Sequence, residues 1–269
     1  MIRTNIFLLA MLLVVLFSCK KNDSATITLR EYSEVAVEND VEIQSYLKTH
    51  FYTFNNTDGT IMLDTISGTN AGKTSLFDQV KKKVIKIRDI HSNYVNHTMY
   101  YLVVREGSGT KATVADSSFV TYKGQTLKGV VFDQSRSIAQ SNWLDLLGNG
   151  TQVNAGVVVG FREGVSLLKA SAKSVTEESG GMLKLPDDYG VGLFFLPSGI
   201  AYFSGSGNIP AYSPLIFQIN LISTKNADHD ADGIPSIKEI EYNEIDGTIA
   251  YPDCNGNGIS DYVDAKKCN

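Results

Sequence analysis

F-V-T-Y-K-G-Q-T-L-K-G-V-V-F-D-Q-S, residues 119 to 135, holds two short β-type runs around a Gly-containing turn. Strand-forming runs bounded by such a turn read as neighbouring strands. The second run ends on Phe132-Asp133, an acidic hydrogen-bonding group set against an apolar wall. No Ser/His/Asp or Cys/His set accompanies the pair, so any chemistry here is expected to be non-covalent.

Outward from this stretch, Tyr100 to Val104 and Leu215 to Ile222 also read as strands, as does the short run Val130 to Phe132. Phe161 to Ala172 is the helix candidate, because Phe161, Val165, Leu168 and Ala172 share one face at helical spacing. The expected fold class is α+β: a mostly antiparallel sheet wrapped around one helix. Ahead of it the chain is mixed. Asn39-Asp40 could cap a helix through Tyr46 and Leu47, Asn55 to Gly59 reads as a turn, and Val84, Ile85 and Ile87 as a strand. The run Lys81-Lys82-Lys83 is read as a solvated face.

The 269-residue chain has a net charge of −5 and 43% apolar residues, enough for a real core. There is no basic stripe with interleaved aromatics, so nucleic acid is not an expected partner. Ile6 to Phe17 is an unbroken apolar run after Arg3. As a helix it spans about 18 Å, short of the roughly 30 Å hydrocarbon core, and it reads as a signal segment. Its end, Leu16-Phe17-Ser18-Cys19, resembles a bacterial lipobox, which implies cleavage before Cys19 and lipidation there. Cys254 and Cys268 remain in the mature chain, outside the reducing cytosol, and are expected to form one disulfide. The expected organisation is a signal peptide (1–18), a tether (19–25), an N-terminal region (26–95), a central domain (96–225) and an acidic tail (226–269).

The central region resembles the FKBP-type peptidyl-prolyl isomerase domain, with the motifs in the family's order. They run from Val104-Arg-Glu-Gly-Ser-Gly109 through Val120-Thr-Tyr-Lys-Gly124 to Gly129-Val-Val-Phe-Asp-Gln-Ser135. Val157-Val-Val-Gly-Phe-Arg-Glu-Gly164, Pro197-Ser-Gly-Ile-Ala-Tyr202, Ile209-Pro210 and Ser213-Pro-Leu-Ile-Phe217 follow. The resemblance implies a pocket with Phe161 as its floor, where the family usually has Trp. Tyr122, Phe132 and Phe217 would be its walls, and Val157 and Val158 its rim, with a backbone N–H near Val158 as donor. Tyr202 would donate its hydroxyl to the substrate carbonyl, and Asp133 would orient polar contacts. Trp143 is a further candidate wall. Gly156 stands where many members carry an acid, and Ser171 to Phe195 is longer than the family's link between helix and strand.

In the tail, oxygen-bearing residues Asp228, Asp230, Asp232, Ser236 and Glu239 occupy positions 1, 3, 5, 9 and 12 of a calcium loop, with Gly233 at position 6. Asp253, Asn255, Asn257, Asp261 and Asp264 repeat the pattern around Gly258. Ile234 and Ile259 would each supply a backbone carbonyl. The pair resembles thrombospondin type 3 or EF-hand-like repeats and implies structural calcium; no cofactor is expected for catalysis. His229 is expected to be an exposed bystander.

These readings converge on a prolyl isomerase or folding helper held in the bacterial envelope by lipidated Cys19, at the outer membrane, with proline-containing polypeptides as clients. The alternative is a weakly active or inactive FKBP-like binding lipoprotein. A hydrolase is disfavoured, since no G-x-S-x-G occurs.

Overall fold

A computed structural model of the chain describes residues 29–135, 143–152, 154–179 and 182–266. The signal segment, Cys19 and Cys268 lie outside them. Residues from Glu31 onward form one compact unit. No helix among the described residues is long and apolar enough to cross a membrane.

The chain enters α1 (Tyr32–Thr49), followed by a hairpin of β1 (His50–Asn55) and β2 (Thr60–Thr65). Strands β3 (Lys81–Arg88), β4 (Tyr94–Arg105), β5 (Ser117–Thr126), β6 (Val131–Gln134) and β7 (Trp143–Asp145) come next. Helix α2 (Val159–Val165) and the small hairpin β8 (Thr176–Glu178) and β9 (Met182–Lys184) precede β10 (Gly190–Leu196) and β11 (Leu215–Lys225). A two-stranded ribbon, β12 (Glu241–Tyr242) and β13 (Ile249–Ala250), lies in the tail.

The main sheet runs β3-β4-β10-β11-β5-β6, with β7 added beside β5, and every pairing is antiparallel. Strand β3 lies ahead of the expected boundary at residue 95 and pairs with β4 behind it over Lys81↔Tyr101 to Arg88↔Tyr94. All of β10 is buried because both sheet faces are covered. Side chains alternate along a strand. Thus Phe194 and Leu196 join the core beneath α2, and Val191, Leu193 and Phe195 the core beneath α1. Each fully buried Phe contributes about 1.5–3 kcal/mol by removal from water. A third core, with Val114, Leu147, Ile240 and Tyr262, joins the tail to the domain.

The fold is α+β, as expected, and among the described residues both expected helices form, with shifted bounds. Helix α1 starts at Tyr32, seven residues before the expected cap. Asn39 is no cap: it is buried, its amide donates to Tyr212 O (2.8 Å), and its Oδ1 accepts from Ser198 N (2.7 Å) and Oγ (2.8 Å). Helix α2 ends at Val165, not Ala172. Beyond it the backbone pairs with another segment, through Ala112 N to Leu168 O, Ala170 N to Thr110 O and Gly109 N to Ala170 O. Those bonds compete with helical ones, and the sheet-like pairing wins.

Candidate active site

Tyr122 lies on β5, Phe132 on β6, Phe217 on β11 and Phe161 on α2, while Tyr202 follows the 3₁₀ turn Ser198–Ile200. Their rings converge. Phe161 meets Phe217 at 5.4 Å between centroids and Tyr122 at 5.5 Å, both nearly perpendicular. Phe132 meets Phe217 at 5.6 Å and Tyr202 at 6.2 Å in the same edge-to-face manner. This geometry matches the ring quadrupoles, positive edge to negative face. Phe161 and Phe217 are buried, and Tyr122, Phe132 and Tyr202 are partly exposed above them. Val157 and Val158 pack against the same core.

Gly124 was not anticipated as part of this site. It pairs across from Asp133 and Phe217, and a Cβ there would lie 2.5 Å from Phe132 Cζ and 3.0 Å from Phe217 Cε1. Only glycine lets the two rings close over the strand. Gly156 explains the missing acid: its φ is +72°, and a Cβ would lie 2.5 Å from Leu147 O.

Asp133 is exposed, and its Oδ2 accepts the Tyr122 hydroxyl at 2.6 Å. Burial, then the hydrogen bond and charge of Asp133, raise the Tyr122 phenol above its ordinary range. Burial and the same carboxylate raise Tyr202. Both phenols therefore stay protonated and able to donate. The rim is tied down by Val157 N to Leu146 O at 3.5 Å, and among the described residues the Val158 N–H has no backbone acceptor. Trp143, expected as a possible wall, is elsewhere: it tilts against Phe119 (5.8 Å) under the Lys225 ammonium (4.6 Å).

The solvated reading of Lys83 is also corrected. Its Nζ lies 2.8 Å from Glu163 Oε2 and 2.9 Å from the Tyr242 hydroxyl, which itself donates to Glu163 Oε2 at 2.7 Å. Glu163 sits on α2, two residues from Phe161, and is fully buried. The signal was the strand period, which puts Lys83 on the face of buried Ile85 while Lys82 points to solvent.

In the tail, carboxylate oxygens of Asp228, Asp230 and Asp232 lie within 4.8 Å of one another. Gly233 turns the loop at φ +94°, its N–H donating to Asp228 Oδ2 at 3.0 Å. Among the described residues, Asp230 Oδ2 and Glu239 Oε2 are buried without a hydrogen-bond partner. Burial, then the charges of Asp230, Asp232, Asp228 and Asp261, push the Glu239 carboxyl up to about 7. Such crowding fits a hard divalent cation, which would take these oxygens and the Ile234 carbonyl.

The second loop differs. Asp253 accepts from Gly256, Asn257 and Gly258 N–H groups, and Asp261 from Cys254 N–H at 2.9 Å. Asp264 Oδ2 accepts the side-chain amides of Asn255 (2.9 Å) and Asn257 (2.6 Å).

His229 is no bystander. Its side chain is 5% exposed, with Nδ1 2.7 Å from Ser236 Oγ and Nε2 3.0 Å from Asp145 Oδ2. Ser236 is therefore engaged by His229, which also donates its backbone N–H to that hydroxyl at 3.1 Å. Burial raises the Asp145 carboxyl, but bonds from His229, Gly148 N–H and Asn154 outweigh it and bring it to about 2. An ionised carboxylate only accepts, so His229 Nε2 carries the hydrogen.

The chain is similar to FKBP-type peptidyl-prolyl cis-trans isomerases. It is 26% identical over 195 residues to FkpA of Aeromonas hydrophila, covering 72% of this chain and 60% of that protein. It is 28% identical over 129 residues to a probable FkpA of Neisseria meningitidis serogroup B, covering 46% and 37%. The chain thus spans less than two thirds of the length of either relative. Among solved structures, a peptidyl-prolyl isomerase of Pseudomonas syringae pv. tomato is 17% identical with a TM-score of 0.41, covering 74% of this chain and 99% of that one. FkpA of Escherichia coli is 20% identical with a TM-score of 0.40, covering 71% and 62%. No protein-family model matches the chain.

Proposed function

We propose that the protein is a peptidyl-prolyl cis-trans isomerase that helps proline-containing polypeptides fold in the bacterial envelope. The observation that carries this reading is the convergence of five rings, from five separate segments, over the Tyr122–Asp133 hydrogen bond. An X-Pro bond rotates over a barrier of roughly 18–20 kcal/mol because amide resonance must be lost. No bond breaks, so neither nucleophile nor metal is required. An apolar surface disfavours the polar planar amide relative to the twisted one, and fixed donors stabilise the twisted form.

Phe161 is the floor for the proline ring, with Tyr122, Phe132 and Phe217 as walls and Val157 and Val158 as rim. The Tyr202 hydroxyl and the Val158 N–H donate to the substrate, and Asp133 orients Tyr122. The Asp228–Glu239 loop holds a structural calcium ion, and the Asp253–Asp264 loop a weaker one, closed by a Cys254–Cys268 bridge. Lipidated Cys19 anchors the chain to the membrane.

Turnover of a proline-containing tetrapeptide by the folded full chain tests the activity. Calorimetry with calcium tests the loops, and the mass of the mature protein from cells expressing Cys19→Ser tests the anchor. A folded protein that leaves isomerisation at its uncatalysed rate removes the enzyme reading.

A further inference from the structure

The tail does more than append cation loops to the domain, because it reaches the aromatic cluster from two sides. On one side, His229 Nε2 meets Asp145 Oδ2 at 3.0 Å. Asp145 organises the loop leading to the rim: Oδ1 accepts Leu147 N (3.2 Å) and Gly148 N (2.9 Å), and Oδ2 accepts the Asn154 amide (2.7 Å). Leu147 packs with Ile240 and Tyr262 of the tail, and Val157 N reaches Leu146 O. On the other side, Tyr242 donates to Glu163 on α2.

Helix α2 needs this support. It has seven residues, far fewer than an isolated helix requires, and its N-terminus carries no side-chain cap. Both the rim and the floor therefore depend on contacts made from outside the helix.

We propose that His229 and Tyr242 are positioning residues for the aromatic site: the tail holds the 145–158 rim through Asp145 and the α2 floor through Glu163. The inference rests on the prolyl reading of that site. Each acts through the carboxylate it holds. Loss of His229 leaves Asp145 Oδ2 with the Asn154 amide alone and loosens Val157 and Val158. Loss of the Tyr242 hydroxyl leaves Lys83 alone on Glu163 and loosens the segment that carries Phe161.

The test uses the full chain with His229→Ala, His229→Gln and Tyr242→Phe. Three measurements apply: tetrapeptide turnover, amide hydrogen exchange, and emission of Trp143, the sole tryptophan and two residues from Asp145. In His229→Ala, KM should rise several-fold and kcat should fall with it, since the rim binds the substrate and carries the Val158 N–H that stabilises the twisted form. Exchange over 146–163 should quicken while β10 stays protected, and Trp143 emission should shift. His229→Gln, which keeps an N–H that can reach Asp145, should recover part of each change. Tyr242→Phe should quicken exchange in α2 and lower kcat/KM. A wild type that turns over peptide, with His229→Ala and Tyr242→Phe folded and unchanged in KM and in 146–163 exchange, overturns this inference alone. A wild type that neither binds nor turns over the peptide overturns the prolyl reading, and the positioning role with it.

Discussion

The aromatic cluster and the first acidic loop solve opposite problems. The cluster gathers rings from β5, β6, α2, β11 and the segment after Ile200, so its geometry exists only once the whole sheet has closed. The loop takes its oxygens from a single stretch, Asp228 to Glu239, and its shape is set by left-handed turns at Ala231 and Gly233. The cluster is held by burial and loses stability when a ring is removed. The loop crowds its own carboxylates and should gain stability when a cation neutralises them. The second loop completes the lesson: the same spacing with two Asn in place of Asp lets amides and N–H groups satisfy the carboxylates.

The largest effect should come from the cluster. Phe161→Ala removes a ring that touches both Tyr122 and Phe217 and should lower unfolding free energy by about 3–5 kcal/mol in urea titration. A loss below about 1 kcal/mol would mean the rings are not a joint core.

The next tests the turn that carries Tyr202. His97 is buried against Gly199, and burial alone lowers its imidazole to about 4. The unfolded chain, titrating near 6.5, takes up the proton first. Stability is therefore full above about pH 6.5 and falls as pH drops toward 4, by about 3 kcal/mol in all. His97→Leu should flatten that limb of the curve, and an unchanged acid slope would assign the loss to other groups.

Calcium should act through the loop rather than through the rings. At a hundredfold excess over Kd it should stabilise the fold by about 2.7 kcal/mol, reversed by chelator. Glu239→Gln should abolish most of that gain, and Asp253→Asn much less. Equal effects of the two would erase the difference drawn between the loops. The smallest change belongs to Tyr122→Phe, about 0.5–1 kcal/mol for one partly exposed hydrogen bond, read by thermal melting.

The same contrast decides what could be read in advance. The acidic loop is contiguous, so residue spacing alone exposes it. The cluster becomes visible only through the family's motif order, because nothing local ties Phe132 to Tyr202. Four features escaped for physical reasons. Asn39 and His229 belong to residue types that commonly cap helices or face solvent, and only tertiary partners bury them. The end of α2 was misplaced because Leu168 and Ala172 fit a helical period, while the backbone at 168–170 finds acceptors and donors on residues 109–112, between β4 and β5. Lys83 could have been found by following the strand period from Ile85, which the charge of the Lys81–Lys83 run obscured.

The most direct test of the central claim is the rate of prolyl isomerisation in a tetrapeptide, measured for wild type and Tyr202→Phe at matched folded concentration. The account predicts clear acceleration by the wild type and about a tenfold lower kcat/KM for the variant, the worth of one transition-state hydrogen bond. Wild-type protein that is fully folded yet leaves the uncatalysed rate unchanged would contradict it.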